Sequence, residues 1–303
     1  MQQDKKNNLI GSGLLLVAAF IWGSAFVAQT TGAEYVGPFT FICLRNVLGA
    51  VVLVPVIFTL DGIKKKNGIY TKPEKKDYKK LFVSGLLCGA ALCLASVFQQ
   101  LGIDEGTEPG KAGFITALYI LLVPIFSIFM KKKVRPVIWG CVAVSLAALY
   151  LLCVKEDNTI RLSDIYVLIC AALYSVHILV IDKVSADVDG VRLSAVQFAV
   201  ASAVSFLPMV IIEGVDLDAI LSAAPSIAYA GILSSGVAYT LQIVGQKKTE
   251  PTLASMIMSL ESVFAVITSL VILHQVPSLR ETAGCVLMFG AIIVAQLPSK
   301  KRN

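Results

Sequence analysis

Thr107-Glu108-Pro109-Gly110-Lys111-Ala112-Gly113-Phe114-Ile115-Thr116-Ala117-Leu118-Tyr119 has a counterpart later in the chain, Thr249-Glu250-Pro251-Thr252-Leu253-Ala254-Ser255-Met256-Ile257-Met258-Ser259-Leu260-Glu261. Thr-Glu-Pro opens both at an offset of 142, and both run on into apolar sequence. Thr can cap a helix start and Pro is tolerated in the first turn, so each tripeptide is expected to begin a helix. The flanking charge differs in sign. Asp104, Glu105 and Glu108 surround the first, whereas Lys247 and Lys248 precede the second. Similar sequence with reversed flanking charge is expected when a segment enters a membrane from the opposite side.

The surrounding sequence makes a membrane the only home for these segments. Of 303 residues, 56% are hydrophobic and 15% are charged, with mean hydropathy +0.79. Soluble domains carry about 25% charged residues. A membrane helix needs about 20 mostly apolar residues. Ten such stretches follow one another at 9–30, 37–60, 81–102, 111–130, 136–154, 162–181, 193–212, 224–246, 252–273 and 281–297. The first follows Lys5 and Lys6 and is read as a retained helix, not a signal segment, because nine more follow. The longest soluble piece is expected from Asp61 to Lys80, too short for a catalytic domain. The fold class is therefore an all-α integral membrane protein of ten helices.

The 26 Lys and Arg orient these helices. With the N-terminus inside, 21 fall on the cytoplasmic side. They include eight Lys between 64 and 80, the group Lys131, Lys132, Lys133 and Arg135, and the pair Lys247 and Lys248. Only Lys111, Lys155, Arg161 and Arg280 fall outside, and Arg45 lies within a helix. Cytoplasmic loops hold the excess of cations, so both termini are expected in the cytoplasm and the chain in the cytoplasmic membrane. The same retention explains the basic loop without nucleic acid.

Other matches extend the repeat. Trp22-Gly23 falls on Tyr174-Ser175 at an offset of 152, which also sets Pro38 on Gly190 and Arg45 on Gln197. Gln99 and Gly102 fall on Gln242 and Gly245 at 143, and Gly140 on Gly284 at 144. Residues 1–154 and 155–303 thus form two repeats of five helices, and an odd count turns the second upside down. Inverted repeats of this kind place a transported solute near the midplane, between the halves.

Ionisable groups in lipid are costly and mark functional positions. Glu261 is the deepest, near the centre of its helix, with Ser255, Ser259, Ser262 and Ser269 on an adjoining face. Arg45 sits roughly 12 Å deep at 1.5 Å per residue, and reads equally as a packing anchor or as part of a site. Helix 6 carries a stripe of Tyr166, Cys170, Tyr174 and His177, and helix 8 a stripe of Ser235, Tyr239, Gln242 and Gln246. Helix 3 offers Ser96 and Gln100, helix 4 Thr116 and Tyr119, and helix 1 Trp22 and Gln29. Interhelical hydrogen bonds account for part of this polarity. Gly85 and Gly89 form a GxxxG contact, and Pro55, Pro124 and Pro208 are candidate kinks. The seven Cys form no CxxC pair and read as small buried hydrophobes, and two His are too few for a zinc site or a His-based triad. No cofactor is expected.

The Trp22-Gly23-Ser24 turn, Phe41 to Arg45, Phe98-Gln99-Gln100-Leu101-Gly102, Gly110 through Tyr119 to Pro124, Leu260-Glu261 and Gly284 to Gly290 together resemble the drug/metabolite transporter superfamily, in its EamA-type ten-helix branch. The chain has Ser262 where that family often has Pro, and His274-Gln275 where it often has an acid. The resemblance implies that helices 1, 3, 4, 6, 8 and 9 surround the substrate path. On that basis Trp22, Gln100, Thr116, Tyr119, Tyr174, His177, Tyr239, Gln242 and Glu261 are expected to line it. The aromatic rings would pack on apolar or cationic substrate parts, the amides and hydroxyls would supply hydrogen bonds, and Glu261 would pair with charge or carry a proton.

No Walker A is present. Gly106 to Ala112 is one residue short, lacks the hydroxyl after Lys111 and follows no strand. Transport would therefore run on a gradient, on exchange or on the solute's own concentration difference. The expected activity is secondary transport of a small metabolite (an amino acid, an amine or a drug-like cation), outward by the resemblance, by a monomer or homodimer, with protons as a candidate coupling ion. Import or exchange is the alternative. A lipid-modifying membrane enzyme would need clustered Asp, His or Cys, and a receptor would need no inverted repeat.

Overall fold

A computed structural model describes residues 2–107, 109–153, 161–273 and 277–297. Glu108, Lys155, His274-Gln275 and the basic residues 300–302, as well as the side chains of Lys5, Lys6, Cys153 and Ser269, lie outside what is described. Every expected stretch falls on helix, and the described residues hold no strand. In chain order the helices are α1 (Gln2–Ala33), α2 (Pro38–Lys66) and α3 (Lys75–Asp104). Next come α4, in two segments (Pro109–Ala117 and Tyr119–Phe129), and α5 (Pro136–Cys153). Then follow α6 (Leu162–Val184) and α7 (Gly190–Pro208), which runs on through a π turn, Met209–Glu213. The next is α8, built of Ala224–Ala228, a π-helical stretch Tyr229–Tyr239, and Thr240–Gln246. Last are α9, in two segments (Pro251–Met258 and Glu261–Leu273), and α10 (Leu279–Gln296). Nine of the described helices are long and apolar enough to cross a membrane, and α5 is apolar but shorter.

Two expectations need correction. The soluble piece from Asp61 to Lys80 is mostly helix, leaving only residues 67–74 between α2 and α3. Lys is a good helix former, and Lys64, Lys65 and Lys66 complement the negative end of the α2 dipole. The second concerns Thr249, which does not cap α9. Glu250 is the N-cap without a side-chain bond, and the Thr249 hydroxyl is buried without a partner. Pro251 and Pro109 do open their helices.

Burial runs opposite to that of a soluble protein. Gln100, Ser175, His177 and Gln197 are fully buried, while Phe58, Phe129, Ile211 and Val286 are largely exposed. Such an exterior suits hydrocarbon, and the interior polar groups find one another. With lipid outside there is little hydrophobic force between helices, so close packing needs small residues. A Cβ at Gly89 of α3 would lie 2.6 Å from the Gln197 carbonyl and from Val200 of α7. A Cβ at Gly231 of α8 would lie 2.6 Å from Leu48 of α2. The GxxxG thus serves the α3–α7 contact.

Helices pack in matched sets. α3 packs on α6 and α7, while α8 packs on α1 and α2; α2 lies on α7, and α5 on α10. Charges fix the ends of the α2–α7 pair. At one end Glu213 accepts the Phe39 and Thr40 backbone N–H groups at 2.8 and 2.7 Å, an acid at the positive end of α2. At the other end Lys64 meets Asp189 at 3.0 Å, and Arg192 pairs with Asp61. Burial pushes the Asp189 carboxyl up, but Lys64 and the Arg192 backbone N–H hold it below the usual carboxylate range. Its contribution is therefore complete at neutral pH and is lost only as pH falls through that lowered value.

Candidate functional site

The interruptions in α4 and α9 begin the site. In α4 the helix tightens at Leu118, whose N–H bonds the Ile115 carbonyl and whose carbonyl accepts from Leu121. In α9 the same tightening involves Leu260 to Ile257 and Ser262 to Ser259. The Ser255 and Ser259 hydroxyls bond the Thr252 and Met256 carbonyls of their own helix, a local bond that competes with a regular ladder. The first residue after each interruption is the repeat-matched one, Tyr119 in α4 and Glu261 in α9. The Tyr119 hydroxyl donates to Glu261 Oε1 at 3.1 Å. One hydrogen bond therefore joins the two halves at their interruptions.

Around that pair lies a narrow cavity, walled by α1, α2, α3, α4, α6, α8 and α9. Trp22 packs against Tyr239 with centroids 4.8 Å apart and the rings tilted by 59°, and its Nε1 donates to the Ser234 carbonyl at 3.4 Å within the π stretch. The Tyr239 and Tyr174 hydroxyls are 2.9 Å apart. Tyr174 also meets Ser96 at 3.2 Å and donates to Gln99 Oε1 at 3.5 Å, while Gln99 Nε2 donates to Thr116 at 3.1 Å. A polar chain thus runs from α4 through α3 and α6 to α8, and its aromatic end reaches α1.

Seven of the nine positions expected along the path wall this cavity: Trp22, Thr116, Tyr119, Tyr174, Tyr239, Gln242 and Glu261. Gln100 and His177 stand outside it. Gln100 points toward α1, where its amide donates to the Gln29 carbonyl at 3.2 Å. His177 sits behind the tyrosines, with Nε2 3.2 Å from Gln197 Oε1 and its ring 6.1 Å from that of Tyr239. The wall includes residues that the pattern reading did not place there, chiefly Gln29, Gln99, Ser234 and Met258. The signal for Gln99 was its repeat match to Gln242. Of α3, Gln99 walls the cavity, while its neighbour Gln100 in the Ser96–Gln100 stripe does not.

Arg45 resolves onto the site. It is buried in the wall, with Nε and a terminal nitrogen each 3.2 Å from the hydroxyls of Ser235 and Ser234. Among the described residues neither Arg45 nor Glu261 has an ion pair. The cavity wall therefore holds a guanidinium and a carboxyl group that are not paired with each other. Two buried acceptors of its wall residues, Gln29 Oε1 and Gln242 Oε1, have no partner among the described residues. A buried acceptor left unpaired costs about 1–3 kcal/mol. Repeat mates share the wall: Trp22 with Tyr174, Gln99 with Gln242, Tyr119 with Glu261.

Comparisons with known proteins agree with this architecture. The chain is similar to an uncharacterized transporter of Archaeoglobus fulgidus, 26% identical over 291 residues, covering 94% of this chain and 85% of that protein. It is also similar to the uncharacterized transporter YoaV of Bacillus subtilis, 20% identical over 293 residues, covering 95% and 97%. A solved crystal structure of a protein shares the fold with a TM-score of 0.74 at 20% identity, covering 94% of this chain and 96% of that one. Residues 9–154 and 161–296 each match the EamA-like transporter family. With helices, interruptions and a polar cavity of this kind, the chain belongs to the EamA-like transporter family and is a multi-pass membrane transporter.

Proposed function

We propose that the chain is a secondary transporter of a small zwitterionic metabolite, such as an amino acid, moving it out of the cell by alternating access. The carrying observation is that Arg45 and the Glu261 carboxyl group wall one cavity, with no ion pair to either among the described residues. Arg45 is bonded only to neutral hydroxyls and would hold a carboxylate in bidentate fashion. Glu261, with the free acceptors of Gln29 and Gln242, would hold an ammonium. Trp22 and Tyr239 would pack on the side chain. Glu261 is also the candidate proton carrier if transport is coupled.

The two five-helix halves are proposed to lie inverted about the cavity, with both termini in the cytoplasm. The distribution of lysines and the matched packing of α3 with α6 and α8 with α1 support this reading. Rocking of one half against the other would open the cavity to either side, with a single chain as the transport unit. Outward direction rests on the family likeness.

The test is a thermal-shift comparison of the purified chain with an amino acid, its decarboxylated amine and its deaminated acid. A ligand at 100 times its Kd stabilises by about 2.7 kcal/mol. The zwitterion should raise Tm at concentrations at least tenfold below those needed of either truncated form. Equal potency of the amine would remove the role of Arg45. For coupling, Glu261→Gln in proteoliposomes should abolish the response of transport to a pH step, and an unchanged response removes the proton role.

A further inference from the structure

A second recess lies at the lysine-rich end of the bundle. The α4–α5 turn, the end of α8 and the start of α9 form it, with Asn7 of α1 at its edge. Lys132, Lys133, Lys247 and Lys248 ring it, against the two acids Asp182 and Glu250. Asp182 is already paired with Lys132, and Lys247 donates to the Val188 carbonyl. Lys133 and Lys248 have no ion pair among the described residues.

Retention of cations on one side accounts for the lysines but not for the wall between them. Ser127, Gln246 and Thr249 line the recess, and Ser127 Oγ, Gln246 Oε1 and Thr249 Oγ1 are buried with no hydrogen-bond partner among the described residues. Their residues are 0%, 3% and 5% exposed. Two of the three are hydroxyls, able to donate to an anion. The first segment of α9, Pro251–Met258, starts here without a side-chain cap, so its first N–H groups add partial positive charge. Gly11 of α1 packs so close to Thr249 that a side chain there would collide with its hydroxyl. Among the described residues none lines both this recess and the central cavity, yet Gln246 is one turn along α8 from Gln242, about 6 Å at 1.5 Å per residue.

We propose that this recess is a separate anion-binding vestibule, taking the carboxylate or phosphate group of a small water-soluble molecule one helical turn from the central cavity. It stands independently of the zwitterion reading, because its residues and its readout are different. A phospholipid headgroup carries the same chemistry and is separated by the choice of bilayer.

The experiment titrates inorganic phosphate and succinate into the purified full-length chain in phosphatidylcholine nanodiscs at constant ionic strength, reading Tm. At least one of the two should give a saturable rise. Lys133→Gln with Lys248→Gln should weaken the apparent affinity at least fivefold, and Thr249→Val, which leaves charge untouched, at least threefold. Lys72→Gln with Lys76→Gln should leave it unchanged. A shift that follows ionic strength alone, or one equal in the Lys133/Lys248 variant, overturns the proposal. Stabilisation by phosphatidylglycerol nanodiscs with no response to either soluble anion also overturns it, in favour of a lipid headgroup.

Discussion

Helices α4 and α9 open on a proline, tighten at matched leucines (Leu118 and Leu260), and place one side chain at the interruption. They differ in what they place there and in how they reach it. α4 carries Gly110 and Gly113 in its first segment, whereas α9 carries Ser255 and Ser259 bonded to their own helix. Every residue from Pro251 to Val263 is buried, while Phe114 and Leu118 of α4 are partly exposed. The shared interruption sets the geometry, and the residue delivered by it sets the chemistry. One half contributes a neutral donor, the other an acid, and the bond between them is made across the halves.

That contrast assigns unequal roles, which substitution can break. Glu261→Gln removes the charge but keeps the shape, and should cut transport in proteoliposomes at least tenfold, about 1.4 kcal/mol, with Tm held within a few degrees. A folded Gln variant with full transport would make the two interruptions functionally alike. Tyr119→Phe removes only the donor to Glu261. A hydrogen bond to a buried group contributes about 1 kcal/mol, so the loss should be roughly fivefold and smaller than that of Glu261→Gln. The reverse order would move the chemistry to α4. The smallest effect is expected from Ser255→Ala with Ser259→Ala. α4 tightens at the matched leucine without these hydroxyls, so transport should persist and stability change by less than about 1 kcal/mol in thermal melts.

Much of this was legible in the sequence. Apolar runs of membrane length can only be helices in lipid, and Thr-Glu-Pro with its reversed flanking charge aligned Tyr119 with Glu261 before any contact was known. What stayed hidden depends on helix phase. Gln99 and Gln100 differ by about 100° around α3, and in a helix apolar on most sides nothing local decides which one meets the cavity. His177 shared a stripe with Tyr174, yet it sits three residues along and turns toward Gln197. Arg45 read equally as anchor or site because its acceptors, Ser234 and Ser235, lie on a π-helical stretch whose period the pattern does not carry. Lysines extended α2 and α3 beyond their apolar runs because helix propensity outlasts hydrophobicity, and at the C-terminal end of α2 the dipole adds to it.

The bonds at the two ends of the α2–α7 pair have a mechanical consequence. Glu213 grips the first turn of α2 from the end of α7, and Asp189 and Arg192 grip its last turns. Sliding one helix past the other by a single turn, about 5.4 Å, would break every one of these bonds at once. A beam pinned at both ends resists shear and passes on rotation. The pair is therefore held against sliding at both of its ends.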